Sequence, residues 1–214
     1  MSRKLVLIYQ KLHRFFGPQH WWPADNPLEV MVGAILTQNT TWSSVEKAIA
    51  NLKKAKLLSA SRLYRLPAAR IAKLIRPSGY YNIKTKRLLA FLSFLFQTYQ
   101  GDIRKMSGVA TALLRRQLLE VNGIGEETAD SILLYALGKP VFVVDAYTKR
   151  ILGRHRLIRQ DANYQEVQNF FMKNLQNKVK LFNEYHALLV RLGKEFCAKT
   201  KPRCQVCPLG EAKI

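Results

Sequence analysis

Apolar residues recur at three- and four-residue intervals along most of this chain, with polar and charged residues between them. That period marks helices with one buried face. It predicts helices over 28–36, 44–57, 68–75, 82–99, 111–121, 128–137, 147–152, 164–175 and 183–196. Ser43 and Ser44 are read as caps of the second of these, with Glu46 in its first turn. Alternation at period two is scarce, and Pro140–Val144 is a short apolar stretch with no partner strand. Breaks fall at Gly17-Pro18, between Pro23 and Pro27, at Pro77-Ser78-Gly79, at Gly101, from Gly138 to Pro140 and at Pro202. There is no internal repeat or low-complexity tract. The pattern implies an all-α fold.

Composition narrows the partner. Lysine and arginine number 35 against 14 acids, a formal charge of +21 over 214 residues. That excess favours a polyanion, because each phosphate neutralised releases condensed counterions. A cationic membrane or ribosomal-RNA binder is the bland alternative. No apolar run approaches the ~18 residues of a membrane span, and Leu5–Tyr9 is too short for a signal segment. The expected setting is cytoplasmic, nucleoid-associated in a prokaryote, with no membrane partner and a monomeric chain. The length suits one large domain or two small intertwined ones. The three cysteines all lie within the last eighteen residues and do not read as a secreted disulfide framework.

The most informative stretch is Leu119–Asp145. A glycine hairpin, Asn122-Gly123-Ile124-Gly125, opens an amphipathic helix, and Asp145 ends an apolar run twenty residues beyond it. Gly123 and Gly125 are able to adopt positive φ and admit a phosphate oxygen close to the backbone. The helix starting near Glu126 turns its amides and positive dipole end toward that oxygen. Such a hairpin holds DNA backbone without reading bases. The same residues would also serve a tight helix-to-helix turn, and Asp145 would also serve as an N-cap for the segment from Ala146.

With Leu118, Leu119 and Val121 before the hairpin and Thr128, Ala129 and Ile132 after it, the segment Leu119–Arg150 resembles the HhH-GPD superfamily of base-excision DNA glycosylases, the endonuclease III-like fold. The resemblance extends over about residues 21 to 207 and is specific at family level. It implies two helical lobes, residues 27–138 as a six-helix bundle containing the helix-hairpin-helix and residues 1–26 plus 139–214 as a second lobe with a cysteine loop at 197–207. DNA would cross a cleft between them. Asp145 matches the family's catalytic aspartate, whose carboxylate stabilises a developing oxocarbenium ion and positions or deprotonates water. Strand-cutting members carry a Schiff-base lysine two positions after the second hairpin glycine; this chain has Glu127 there, and a carboxylate forms no imine. A monofunctional enzyme is implied. Glu127 is either an acidic first turn or a pocket group for the extruded base, and Lys139 lies on the far side of the helix.

The run Val32–Trp42 resembles the helix and loop that carry the family's polar wedge. Gln38 and Asn39 are the candidates to fill the hole left by an everted nucleotide, with Asn39 the better match. The elements Trp21-Trp22-Pro23, Leu36–Thr40 and Arg76–Leu88 together resemble the 3-methyladenine DNA glycosylase branch. An alkylated purine is cationic and a good leaving group, and an electron-rich pocket of Trp21, Trp22 and Trp42 would favour it through cation–π attraction. Lys194, near the end of the last helix, matches a lysine that approaches the base pocket in that branch. Tyr80, Tyr81, Lys84, Lys86 and Arg87 are read as a helix with a solvated basic face.

The spacing Cys197-x6-Cys204-x2-Cys207 matches the first three ligands of the family's 4Fe-4S loop. The fourth position is Lys213, although such clusters are normally held by four thiolates. Three readings follow: a structural cluster with a non-cysteine fourth ligand, pinning a basic loop (Lys199, Lys201, Arg203); a decayed loop with no metal; or a cysteine lost from this particular chain. The implied reaction on damaged double-stranded DNA is hydrolytic removal of an alkylated purine, most plainly 3-methyladenine. The competing readings are a glycosylase for oxidised pyrimidines or mismatched bases, and a non-catalytic DNA-binding module.

Overall fold

Twelve α-helices, two short 3₁₀ turns and one π-turn make up the computed structural model, which describes residues 2–210; there is no strand among them. The all-α expectation is met. The chain divides into two compact units, residues 24–139 and residues 1–23 with 140–214.

The first unit is organised around α2 (Pro27–Leu36), of which every residue from Leu28 to Leu36 is buried. Asn26 caps it by accepting from Glu29 N, and Pro27 occupies the first turn, where no intrahelical amide bond is lost. Glu29 is buried among these apolar residues and is neutralised by Lys53 Nζ at 2.6 Å. Around α2 lie α3 (Trp42–Lys54), α4 (Ala60–Arg65), α5 (Ala68–Ile75), α6 (Tyr81–Tyr99), α7 (Ile103–Ser107), α8 (Thr111–Glu120) and α9 (Glu126–Ser131). The π-turn at 132–136 continues α9 and packs on α2. The cap of α3 differs from the expectation. Its N-cap is Thr41, with Ser43 and Ser44 inside the helix and their hydroxyls on Thr41 Oγ1. The short helices α4 and α7 have no full apolar stripe and leave little periodic trace in the sequence.

The second unit contains α1 (Arg3–Phe16), α10 (Ala146–Arg154), α11 (Tyr164–Asn174) and α12 (Val179–Glu195). Leu5, Ile8 and Leu12 form the buried stripe of α1. This helix was not anticipated: Val6 and exposed Leu7 fill positions off that stripe, so the segment reads as a short apolar run. Phe142 stacks on Phe171 at 3.7 Å, and Phe182 and Tyr185 meet Phe142 edge-on, these last two contacts being of the kind that suits the ring quadrupoles. Tyr185 Oη donates to Leu5 O at 2.9 Å, tying α12 to α1. Gly193 admits a close approach, because a Cβ there would stand 2.3 Å from Tyr147 Cδ1 on α10.

Candidate active site and nucleic-acid interface

In the first unit, the hairpin between α8 and α9 holds Gly123 at φ +84°. A Cβ on Gly123 would lie 2.2 Å from Arg87 Cγ, so glycine is required twice over. Gly125 differs from the expectation: its φ is −91°, extended backbone open to any residue, and a Cβ there would meet nothing within 4 Å. Ile124 is buried and anchors the hairpin to the core. Glu127 lies exposed in the first turn of α9 beside Glu126, where the helix dipole favours acids. Lys139 Nζ donates to Ser107 O and Val109 O, engaged away from that turn.

The turn after α2 brings a second group to the hairpin. Gln38 Nε2 donates to Gly123 O and to Thr128 Oγ1, each at 2.9 Å, and Gln38 Oε1 accepts from Arg87. Asn39, its neighbour, is exposed with φ +53°, a left-handed conformation that asparagine tolerates better than most residues. Trp42 stands at the start of α3, half-buried, its Nε1 donating to Glu46 Oε1 at 2.7 Å.

The expected solvated basic face on α6 forms only in part, Lys86 and the preceding Tyr80 being exposed. Lys84 is 1% exposed, its Nζ donating to Ser78 O at 2.5 Å, and Arg87 is drawn in to Gln38. Burial, reinforced by repulsion from Arg87, lowers the Lys84 pKa from 10.5 to about 8. Apolar spacing gave no sign of this, because a lysine at a core-facing position reads as polar.

In the second unit, Asp145 ends the buried run Val141–Val144 and caps α10, accepting from Thr148 N at 2.7 Å through Oδ1. Its Oδ2 lies 3.8 Å from His186 Nε2, and both residues are buried. Burial lowers the His186 pKa below its ordinary value, with Asp145 pulling the other way. The structural and chemical roles weighed for Asp145 are compatible: capping commits one oxygen and leaves the other facing an ionisable ring. His186 was missed, since a histidine among the apolar residues of α12 looks like core.

Trp21 and Trp22 sit side by side with ring centroids 5.1 Å apart, both half-buried. Lys194 is exposed in the last turn of α12. Cys197 is buried, and Cys204 and Cys207 flank a 3₁₀ turn in which Cys207 N donates to Cys204 O at 3.2 Å. Among the described residues no three His, Cys, Asp or Glu side chains converge into a group able to hold a metal ion. The thiols suit iron in type and order but do not form a complete cubane site, and the expected fourth position, Lys213, lies outside the described residues. No described helix is long and apolar enough to cross a membrane.

An all-α fold with a glycine hairpin between two helices and a buried capping aspartate has the make-up of a helix-hairpin-helix protein. The HhH-GPD superfamily base excision DNA repair protein profile matches residues 32–177, and the chain belongs to that family. It is a DNA glycosylase of base excision repair. A protein of Methanocaldococcus jannaschii named as a candidate DNA repair glycosylase is 47% identical over 95% of this chain and 93% of its own length. Endonuclease III of Escherichia coli is 26% identical over 86% of this chain and 81% of its own. Among solved structures, the H. pylori 3-methyladenine DNA glycosylase bound to 1,N6-ethenoadenine superposes with a TM-score of 0.79 at 30% identity, covering 89% of this chain and 97% of that one.

Proposed function

We propose that this glycosylase hydrolyses the N-glycosidic bond of alkylated purines, 3-methyladenine foremost, and leaves the abasic strand uncut. The observation that carries the hydrolytic half is Glu127, where an imine-forming enzyme needs an amine. Asp145 supplies the carboxylate that stabilises the oxocarbenium ion and orients water, held in place by its bond to Thr148 N. Trp21, Trp22 and Trp42 are the aromatic surfaces offered to a cationic base, and the similarity to the H. pylori enzyme supports that substrate class. Glu127 and Lys194, both exposed, are assigned to the base pocket.

Backbone contact falls to Gly123, Ile124 and Gly125, the open space at Gly125 leaving room for a phosphate oxygen. Asn39 is the wedge, since the Gln38 side chain is already committed within the protein. A structural 4Fe-4S cluster on Cys197, Cys204 and Cys207 belongs to the same proposal; no step of the reaction passes through it. Iron and acid-labile sulfide in equal amounts after anaerobic purification would support it, and their absence would refute it.

The likeness to endonuclease III supports a second reading, excision of oxidised pyrimidines. Methylated DNA and an oxidised-pyrimidine duplex distinguish the two. Free 3-methyladenine from wild type and none from Asp145→Asn is the expected result, with no borohydride-trapped adduct. Activity confined to oxidised pyrimidine overturns the substrate class, and a trapped adduct overturns the hydrolytic mechanism.

A further inference from the structure

Gln38 lies half-buried immediately before Asn39, and its carboxamide reaches groups 85 and 90 residues along the chain. Nε2 uses both hydrogens, one on Gly123 O and one on Thr128 Oγ1, while Oε1 accepts from Arg87. A guanidinium only donates and a carbonyl only accepts, so these partners fix which end of the amide is which. Arg87 also fills the space beside Gly123 that a side chain would need. The turn itself is short, closed by Thr37 N and Thr37 Oγ1 on Gly33 O and by Thr40 N on Thr37 O. Gln38 is therefore the side chain of this turn bonded to the hairpin carbonyl and to the helix that follows it.

We propose that Gln38 is a positioning residue that locks the turn bearing Asn39 to the glycine hairpin, so that phosphate capture at the hairpin and insertion of Asn39 into the duplex occur as one rigid movement. The inference rests on the wedge and hairpin assignments above. Glutamine is suited to this task and glutamate is not. A carboxylate at the same length still accepts from Arg87 but has no hydrogen for Gly123 O and repels it. Asparagine is one methylene too short to span the same gap.

The test is Gln38→Glu, Asn39→Ala and the double variant, each read in two ways. Affinity for an undamaged duplex and its salt dependence report backbone capture. Fluorescence of 2-aminopurine paired with thymine reports eversion, since the base brightens on leaving the stack. Gln38→Glu is expected to lower duplex affinity only about threefold, through its added charge, while eversion falls about tenfold beyond that, the effect of the lost amide donors to Gly123 O and Thr128 Oγ1. Asn39→Ala is expected to lower eversion as much, and the double variant no further. Additive losses, or a parallel fall in duplex affinity, overturn the coupling. So does wild-type eversion in Gln38→Glu when Asn39→Ala is impaired. Unimpaired eversion in Asn39→Ala refutes instead the wedge assignment, and the coupling with it. Should Gln38→Glu lose its helical circular dichroism, Thr128→Val, near-isosteric and lacking one of the two acceptors, carries the same comparison.

Discussion

Replacing Lys84 with methionine isolates the cost of placing an ammonium group inside the first unit. The side chain is 1% exposed and its pKa falls from 10.5 to about 8, chiefly because burial removes the charge from water. At about 1.36 kcal/mol per pH unit, that displacement of about 2.5 corresponds to about 3 kcal/mol borne by the charged form. Below about pH 8 folded and unfolded chains both hold the proton, and the fold carries the whole cost. Between about pH 8 and 10.5 the unfolded chain holds a proton the native chain has lost, so stability rises with pH. Methionine removes the charge at every pH but leaves Ser78 O, on a fully buried residue, without the lysine donor, at about 1–3 kcal/mol. The variant is thus expected to be as stable as wild type near neutrality or up to about 2 kcal/mol more so. Wild type should then gain about 2–3 kcal/mol on the variant as the pH is raised toward 10. Urea titrations of both proteins followed by circular dichroism across that range measure the difference directly. A stability difference that stays flat from neutral to alkaline pH would refute the reasoning, because it would mean Lys84 is solvated in the fold.

Three further outcomes follow from the structure. Asp145→Asn retains an acceptor for Thr148 N, so unfolding free energy should change by less than about 0.5 kcal/mol while base release is lost; Asp145→Ala should lose about 1 kcal/mol of capping as well. Arg115→Met strips the guanidinium held at 2.7 and 3.1 Å from Asp130, which is fully buried, and should cost about 3–5 kcal/mol by thermal unfolding; a loss under about 1 kcal/mol would show that the pair is not holding α8 to α9. The lowered His186 pKa means the unfolded chain takes up a proton first as the pH falls below about 6.5, so stability should drop there, and less so in His186→Gln; equal acid sensitivity in both proteins would count against it.

Long helices with a full apolar stripe were legible because their period survives any tertiary context: α5 begins and ends at Ala68 and Ile75 as expected, and α2, α6, α8 and α11 differ from expectation by one residue at one end. The hairpin turn and the cap at Asp145 were legible for another reason, since a glycine-rich turn between helices and an aspartate before one are marked by residue type and spacing. What the sequence hides is polar groups that are buried by their neighbours. Lys84 reads as a surface lysine, Arg87 as part of a basic face and Gln38 as an exposed wedge, yet Lys84 is drawn inward by Ser78, more than one helical turn away, and Arg87 and Gln38 by partners far along the chain. His186 is concealed in the same way, its relation to Asp145 spanning 41 positions between α10 and α12. Gly125 shows the converse, a glycine whose identity neither backbone angle nor internal packing demands.

Helix α10 explains how the aspartate is kept in place independently of any metal on the cysteine loop. Asp145 caps its first turn, and two of its later residues hold the start of the cysteine loop. Arg150 Nε donates to Cys197 O at 2.7 Å, while Arg154 reaches Cys197 Sγ at 3.2 Å, Ala198 O at 2.7 Å and Lys199 O at 2.9 Å. These are charge-assisted bonds from planar donors, stronger than neutral ones and geometrically demanding. The same helix packs on α12 across Gly193, where Tyr147 takes the space of a side chain, and α12 carries His186 to the far oxygen of Asp145. Two arginines, one glycine and one cap therefore set the position of the carboxylate through covalent and hydrogen-bonded structure alone. A metal group on the loop would add to that anchorage at Cys204 and Cys207, beyond the point where the arginines already secure it. Any change in the outer part of the loop reaches Asp145 only through a helix that is held at both of its ends.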